Sequence, residues 1–156
     1  MGERLGGFIY GTIVTLAVVV GGARAYPDEA GQIAVMVGVT AVALWLAHVY
    51  AHALAHSVSR DEHVSPQELG QIARREGSII EAAVLPLAIL VAGAVGIVST
   101  NTAVWGAFGL GLGVLAAQGI TFARIERLGW LGTLGIVAAN VSLGATFVAL
   151  KLFLTH

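Results

Sequence analysis

Five long runs of hydrophobic residues, separated by short polar connections, dominate the sequence. They cover residues 5–23, 32–57, 82–98, 103–123 and 129–150. A helix needs about 20 apolar residues to cross the roughly 30 Å hydrocarbon core of a bilayer, and each run approaches or exceeds that length. The pattern predicts an all-α membrane protein, a bundle of five transmembrane helices that forms a single domain over residues 1–156.

The connection between the second and third runs is the only sizeable polar segment. Its sequence Ser65-Pro66-Gln67-Glu68 is typical of a helix start, with Ser as the N-cap, Pro at the first position and Glu three residues after the cap. Only a few apolar residues follow before Glu76. We therefore predict a short helix that lies on the cytoplasmic membrane surface.

Small residues recur at four-residue spacing within the runs. Such stripes allow helix backbones to approach closely in lipid. They predict packing within the bundle or, for one such face, contact with a second copy of the chain. The stripes include Gly7, Gly11 and Thr15 in the first run, Ala43, Ala47, Ala51 and Ala55 in the second, and Gly109, Gly113 and Ala117 in the fourth.

Composition supports the membrane class, argues against nucleic-acid binding and excludes cysteine chemistry. The chain is 57% hydrophobic and 11% charged, whereas soluble domains carry about 25% charged residues. A net charge of −1 provides no basic surface for nucleic acid. Because cysteine is absent, disulfides and thiolate metal sites are excluded.

Basic residues set the expected orientation. With five spans, the amino terminus and the second and fourth connections share one side, and this side carries most of the arginines. Because cytoplasmic loops are enriched in Lys and Arg, we predict a cytoplasmic amino terminus and an external carboxyl terminus. The inner set is Arg4, Arg60, Arg74, Arg75, Arg124 and Arg127, and the outer set is Arg24 and Lys151.

Two further expectations follow from these residues. Arg74, Arg75, Arg124 and Arg127 form a basic cytoplasmic rim, for which anionic lipid head groups are the natural partner. The richness in Ala, Gly, Val and Arg, with a single lysine, is typical of a GC-rich bacterial genome. We therefore expect the protein in a bacterial plasma membrane.

Candidate chemistry centres on three histidines, His48, His52 and His56, at four-residue spacing in the second run. This spacing places them on one stripe of a helix. Imidazole titrates near neutral pH, so the stripe could pass protons, and two rings on successive turns could chelate a metal. The alternative is structural: His56 favours the helix carboxyl terminus, and the other two rings form hydrogen bonds to neighbouring helices.

Other polar residues of the apolar runs extend this hypothesis. Glu81 opens the third run at the same expected depth as His52 and His56, and two histidines with one carboxylate suit zinc, iron or manganese. Alternatively, Glu81 is an interfacial residue stabilised by its helix amino terminus. Gln118 and Asn140 could line the same path, or each could form one interhelical hydrogen bond.

Three functions are compatible with these residues. The first is conduction or transport of protons or a divalent cation along His48, His52 and His56, with Glu81 at the inner mouth, in a homo-oligomer because five helices make a thin wall. The second is a metal- or haem-binding redox or enzymatic membrane protein. Haem is disfavoured because all the intramembrane histidines lie on one helix. The third is an accessory subunit of a larger membrane complex without chemistry of its own.

Overall fold

The computed structural model describes residues 2–60 and 64–154, with side chains for 5–59, 64–146, 149 and 153. The side chains of Arg4, Arg60 and Lys151, used above for orientation, lie outside this part. Six α-helices and short turns account for the described residues. The helices are α1 (Gly2–Ala25), α2 (Ala30–Arg60), α3 (Pro66–Glu76), α4 (Ser78–Ala94), α5 (Thr100–Ile125) and α6 (Trp130–Leu154). The all-helical class is confirmed.

The described residues contain three or four candidate membrane spans. Leu5–Ala25, Ala30–Ser59 and Thr100–Ile125 are each long and apolar enough to cross a bilayer. A fourth span exists if α3 and α4, which meet at a 41° bend, act together. In α6, the part with described side chains provides the apolar stretch Trp130–Thr146. These helices suit an integral membrane protein, whereas the predicted count of five spans is not confirmed.

Helix α4 starts at Ser78, before the predicted third span, and it ends at Ala94, earlier than expected, because of a glycine. Gly96 has a left-handed φ of 78°. Its N–H donates to Gly93 O, and the N–H of Ile97 donates to Ala92 O at 2.9 Å. This pattern of bonds is the Schellman helix end, which favours glycine at the left-handed position. As a result α4 has only 17 residues, about 26 Å of helix.

Helix α1 occupies the centre of the bundle and, among the described residues, contacts every other helix. Around it, α2 packs on α4, α4 on α5, and α5 on α6. Within the described residues α2 and α6 do not meet, so this ring is open along one side of α1. The apolar core lies along α1 and includes Leu16, Val19, Ile33, Leu90 and Phe108.

Glycines of the first small-residue stripe bring α1 against the start of α4. A Cβ added at Gly7 would lie 2.7 Å from Ser78 Oγ, and one at Gly11 would lie 2.9 Å from Ile79 O. Such distances leave no room for a side chain, so this stripe packs within the bundle. The stripe from Ala43 to Ala55 is exposed, and Gly109 and Gly113 have no atom within 4 Å of an added Cβ.

Helix α3 forms as predicted and is fastened to α2. Ser65 Oγ accepts a hydrogen bond from the Glu68 N–H, and Glu68 Oε2 accepts one from the Ser65 N–H, which completes a capping box. Trp45 Nε1 donates to Ala73 O at 2.9 Å. We call the end of the bundle that carries α3 the α3 end, and the opposite end, with residues 26–29 and 95–99, the turn end.

Candidate functional site

A cavity of about 250 Å³ opens at the α3 end between α1, α2 and α3. We call it the histidine cavity; it is lined by Gly6, Gly7, Tyr10, His48, His52 and Glu76. Gly6 leaves part of this space empty because it has no side chain, and a Cβ there would meet no atom within 4 Å. Two of the three predicted histidines therefore share one cavity.

Glu76 is the carboxylate of this cavity. It is the last residue of α3, and its side chain is only 10% exposed. Its Oε1 lies 3.4 Å from His52 Nδ1. The hydrogen bond from Trp45 to Ala73 holds the last turn of α3 on α2, which brings the carboxylate to the imidazole. A protonated His52 would form an ion pair here.

Backbone hydrogen bonds define which ring nitrogens are free. His48 Nδ1 lies 2.9 Å from Leu44 O, and His52 Nδ1 lies 3.1 Å from His48 O. Because a carbonyl oxygen can only accept, each Nδ1 must carry the hydrogen. In the neutral rings the lone pair is therefore on Nε2, which is the atom that can take up a proton or a metal ion.

Tyr10 of α1 packs on His48. The ring centroids are 5.3 Å apart, with 48° between the planes. Together with the Leu44 hydrogen bond, this contact limits the orientations of the His48 ring. His52 is less restrained, since its side chain is 58% exposed. The cavity thus combines one ring held by packing with one more exposed ring beside a carboxylate.

His56 lies in a different cavity. This space of about 340 Å³ is lined by His56, Glu68, Gln71, Ile72 and Arg75. It lies between the end of α2 and the outer part of α3. The regular spacing of the three histidines therefore does not place them in one continuous chamber, because α3 packs across the stripe.

Glu81 and Gln118 lie in a third cavity, between α1, α4 and α5. It has a volume of about 350 Å³ and is lined by Leu5, Phe8, Ser78, Glu81, Gln118, Thr121 and Ile125. We call it the Glu81 cavity. Asn140 Nδ2 donates to Leu115 O at 3.5 Å, a long interhelical contact. The structure therefore distributes the six predicted path residues over several places.

The predicted metal ligands His52, His56 and Glu81 line three different cavities. Throughout residues 2–60 and 64–154, no group of three or more His, Cys, Asp or Glu side chains is close enough to hold a metal ion. His48, His52 and Glu76 line one cavity without forming such a group. A metal bound by the predicted set would require the helices to rearrange.

A narrow cavity continues the histidine stripe towards the turn end. Thr15 of α1, with Thr40 and Leu44 of α2, is among its lining residues. Its space does not admit a water-sized sphere. Thr40, Leu44 and His48 follow one another at four-residue spacing on α2, so the stripe reaches a dry constriction directly beyond His48.

The four arginines of the predicted rim are exposed at the α3 end. Arg74 and Arg75 lie in the last turn of α3, and Arg124 in the last turn of α5. Arg127 follows with a left-handed φ of 52°. This placement is compatible with anionic head groups as partners, which stays a prediction.

Glu76 was the functional candidate that the sequence analysis did not single out. It lies seven residues after Leu69 and four after Ile72, so it continues the apolar face of α3. A carboxylate on the apolar face of an amphipathic helix was the available signal, because charged residues are rarely buried without a partner.

The fold and the cavities define the class of this protein: an all-helical protein with apolar helices suited to a membrane and, at one end, cavities lined by ionisable residues. Comparison with known proteins adds no narrower identity. No protein family, no curated protein and no solved structure matches the chain.

Proposed function

We propose that this protein is a small integral membrane protein that transfers protons, with Glu76, His52 and His48 as the residues that carry them. One observation carries the proposal: a buried carboxylate lies 3.4 Å from an imidazole nitrogen, and that imidazole shares a cavity with a second one. Ionisable groups within a membrane bundle are costly and mark proton pathways.

The geometry supports a relay through His52. A proton taken up at Nε2 produces an imidazolium whose Nδ1–H lies close to both His48 O and the Glu76 carboxylate. Transfer of that Nδ1 proton to Glu76 leaves a neutral ring protonated at Nε2. The starting tautomer returns when water takes the Nε2 proton and returns one to Nδ1, and the 58% exposure of the His52 side chain gives water access to the ring.

Protons are better supported than a divalent cation as the transported species. A relay needs only neighbouring donors and acceptors, such as the Glu76 and His52 pair. A divalent site needs several converging ligands, and no such group of three is present in the described part of the chain. For the same reason a metal-dependent redox or enzymatic function has less support.

The constriction beyond His48 makes the proposed path gated. Protons entering from the α3 end reach His48, and further passage requires Thr15, Thr40 and Leu44 to separate enough to admit water. We place the α3 end in the cytoplasm of a bacterium, with five spans and an external carboxyl terminus. The opening of the helix ring between α2 and α6 favours a homo-oligomer, in which a second copy covers this side of α1.

The test is proton flux into liposomes that contain the purified protein, driven by a potassium diffusion potential and read by an internal pH dye. We expect flux from the wild type and its loss in Glu76→Gln, because the amide cannot accept the proton. Glu29→Gln, at the turn end, is the matched control and should keep wild-type flux.

Equal flux from wild type, Glu76→Gln and empty liposomes would contradict the proposal. If the folded protein is also recovered from cells together with a stable partner, the accessory-subunit hypothesis becomes the better one. Visible colour in the purified protein would instead favour the haem alternative.

A further inference from the structure

Helix α2 is longer than the hydrocarbon core of a bilayer. Its 31 residues extend over about 46 Å, whereas the hydrocarbon is roughly 30 Å thick. Asp28 and Glu29 directly precede α2, and the cost of burying their charges keeps this turn end at or outside the boundary. The next 20 or so residues, to near Tyr50, are enough to cross the hydrocarbon. About the last ten residues of α2 therefore lie outside it, at the α3 end.

This outer part of α2 carries a row of exposed apolar side chains. Tyr50, Leu54 and Val58 are 70%, 51% and 76% exposed, and their four-residue spacing aligns them along one side of the helix. We call these three residues the outer ridge. Helix α3 packs on a different side of α2, the side of His52, whose Nδ1 lies 3.4 Å from Glu76 Oε1. The outer ridge is therefore not covered by α3.

Lipid tails do not reach the far part of the outer ridge. Along the helix axis, Leu54 lies about 6 Å and Val58 about 12 Å beyond Tyr50. In a single copy of the chain, head groups and water would surround both side chains. Single exposed apolar residues are common, but a contiguous row of large ones is typical of an interaction site. The outer ridge therefore favours a protein partner.

A second copy of this chain suits the outer ridge in shape, charge and height. Ala51 and Ala55 are exposed beside it, and these small residues form a groove into which the ridge of another helix can pack. Ala30–Ser59 contains no Asp, Glu, Lys or Arg, so two α2 helices meet without repulsion between such charges. Two copies inserted in the same orientation also place their ridges at the same height above the bilayer.

We propose that the outer ridge is a contact between two copies of this chain, whose α2 helices pack side by side across a two-fold axis. The ridge of each copy lies over Ala51 and Ala55 of the other, with the two Leu54 side chains near the axis. The contact rests on the homo-oligomer of the proposed function and specifies its interface, because α2 forms one edge of the open side of α1. The relay residues take no part in it.

Disulfide cross-linking tests this contact directly, because the chain has no cysteine of its own. We expect Leu54→Cys in the full chain, in liposomes oxidised with copper phenanthroline, to form a covalent dimer. Ile125→Cys is the matched control at the same end of the bundle; Ile125 is 50% exposed but lies on α5, and this variant should stay monomeric. The dimer yield of Leu54→Cys should persist as the lipid-to-protein ratio is raised, whereas cross-links from random collisions decline.

A charged variant provides a second measurement. Leu54→Glu brings two carboxylates together at the axis and should convert a wild-type dimer into monomers in analytical ultracentrifugation, while Ile125→Glu should remain dimeric. Leu54 is exposed, so the midpoint of thermal unfolding should change little. Equal cross-linking of the two cysteine variants, or a dimer that persists in Leu54→Glu, would overturn the proposal. A dimer without proton flux would keep this contact and contradict only the relay, and flux from a monomeric wild type would do the reverse.

Discussion

The two ends of the helical bundle differ in the residues that lie between the helices and in the space around them. At the turn end, an added Cβ at Gly93 would lie 2.7 Å from Ala103 Cβ and 3.0 Å from Ala30 Cβ. Thr100 Oγ1 also donates to Asp28 O at 3.2 Å, which joins the two turns. At the α3 end, α1 meets α4 equally closely at Gly7 and Gly11, but three cavities of about 250, 340 and 350 Å³ lie beside these contacts.

Residue size explains this difference and also explains why the residues of the proposed relay lie at the α3 end. Small residues face one another at the turn end, so α2, α4 and α5 meet closely there. Larger polar residues such as Tyr10, His48 and Glu76 line the space between the helices at the α3 end. The residues of the proposed relay thus lie at the end that has these cavities, while the small residues of the turn end hold the helices together.

The largest expected effect is a difference in proton flux between variants of two histidines at the α3 end, His52 and His56. His52→Ala should lower proton flux by about a hundredfold, the order of effect seen when a positioned proton donor is removed. His56→Ala should leave flux near the wild-type value, because His56 lines another cavity. The measurement is flux in liposomes; equal losses in both variants would contradict the division of the stripe by α3.

Next in size is a packing change at the turn end. Gly93→Ala places a methyl group 2.7 Å from Ala103 Cβ and should lower the free energy of unfolding by about 1–3 kcal/mol. Gly109→Ala is the matched control, since no atom lies within 4 Å of the added Cβ. Its stability should equal or slightly exceed the wild type's, because Ala favours helix over Gly. Unfolding in mixed detergent measures both.

A smaller effect is expected from Trp45→Phe. This change removes the hydrogen bond to Ala73 O, worth about 1 kcal/mol, and keeps an aromatic ring on α2. Amide hydrogen exchange across α3 should quicken, while exchange in α5 should not change. Unaltered exchange in α3 would show that this bond does not hold Glu76 at the histidine cavity.

The smallest expected effect concerns the constriction. Leu44→Ala should raise proton flux a few-fold, because a shorter side chain admits water next to Thr15 and Thr40. Leu46→Ala removes the same atoms from the exposed face of α2, where Leu46 is 54% exposed, and should not raise flux. An unchanged flux in Leu44→Ala would place the barrier elsewhere.

Local features of the fold could be predicted from the sequence, and long-range ones could not. The helical class and the capping box of Ser65 and Glu68 follow from hydropathy and from residues close in the chain. The early end of α4 follows from Gly96, whose left-handed conformation is local too. It was missed because the apolar run continues through Val95, Ile97 and Val98.

The partner of His52 is a long-range feature. Glu81 was expected next to His52 because spans two and three are consecutive. Instead, α3 folds back on α2 and brings Glu76 to the imidazole, while the Gly7 and Gly11 contacts hold α1 against Ser78 and Ile79. These contacts leave Glu81 in another cavity. They depend on packing between residues that are distant in the sequence, and no pattern within one helix encodes them.

The most direct test of the account is a double-mutant cycle on the relay, measured as proton flux in liposomes. It compares the wild type, Glu76→Gln, His52→Ala and the double variant, each at equal incorporation. Because the two residues pass the same proton, the double variant should lose no more flux than the more damaging single change. Losses that multiply, or wild-type flux in either single variant, would contradict a relay between Glu76 and His52.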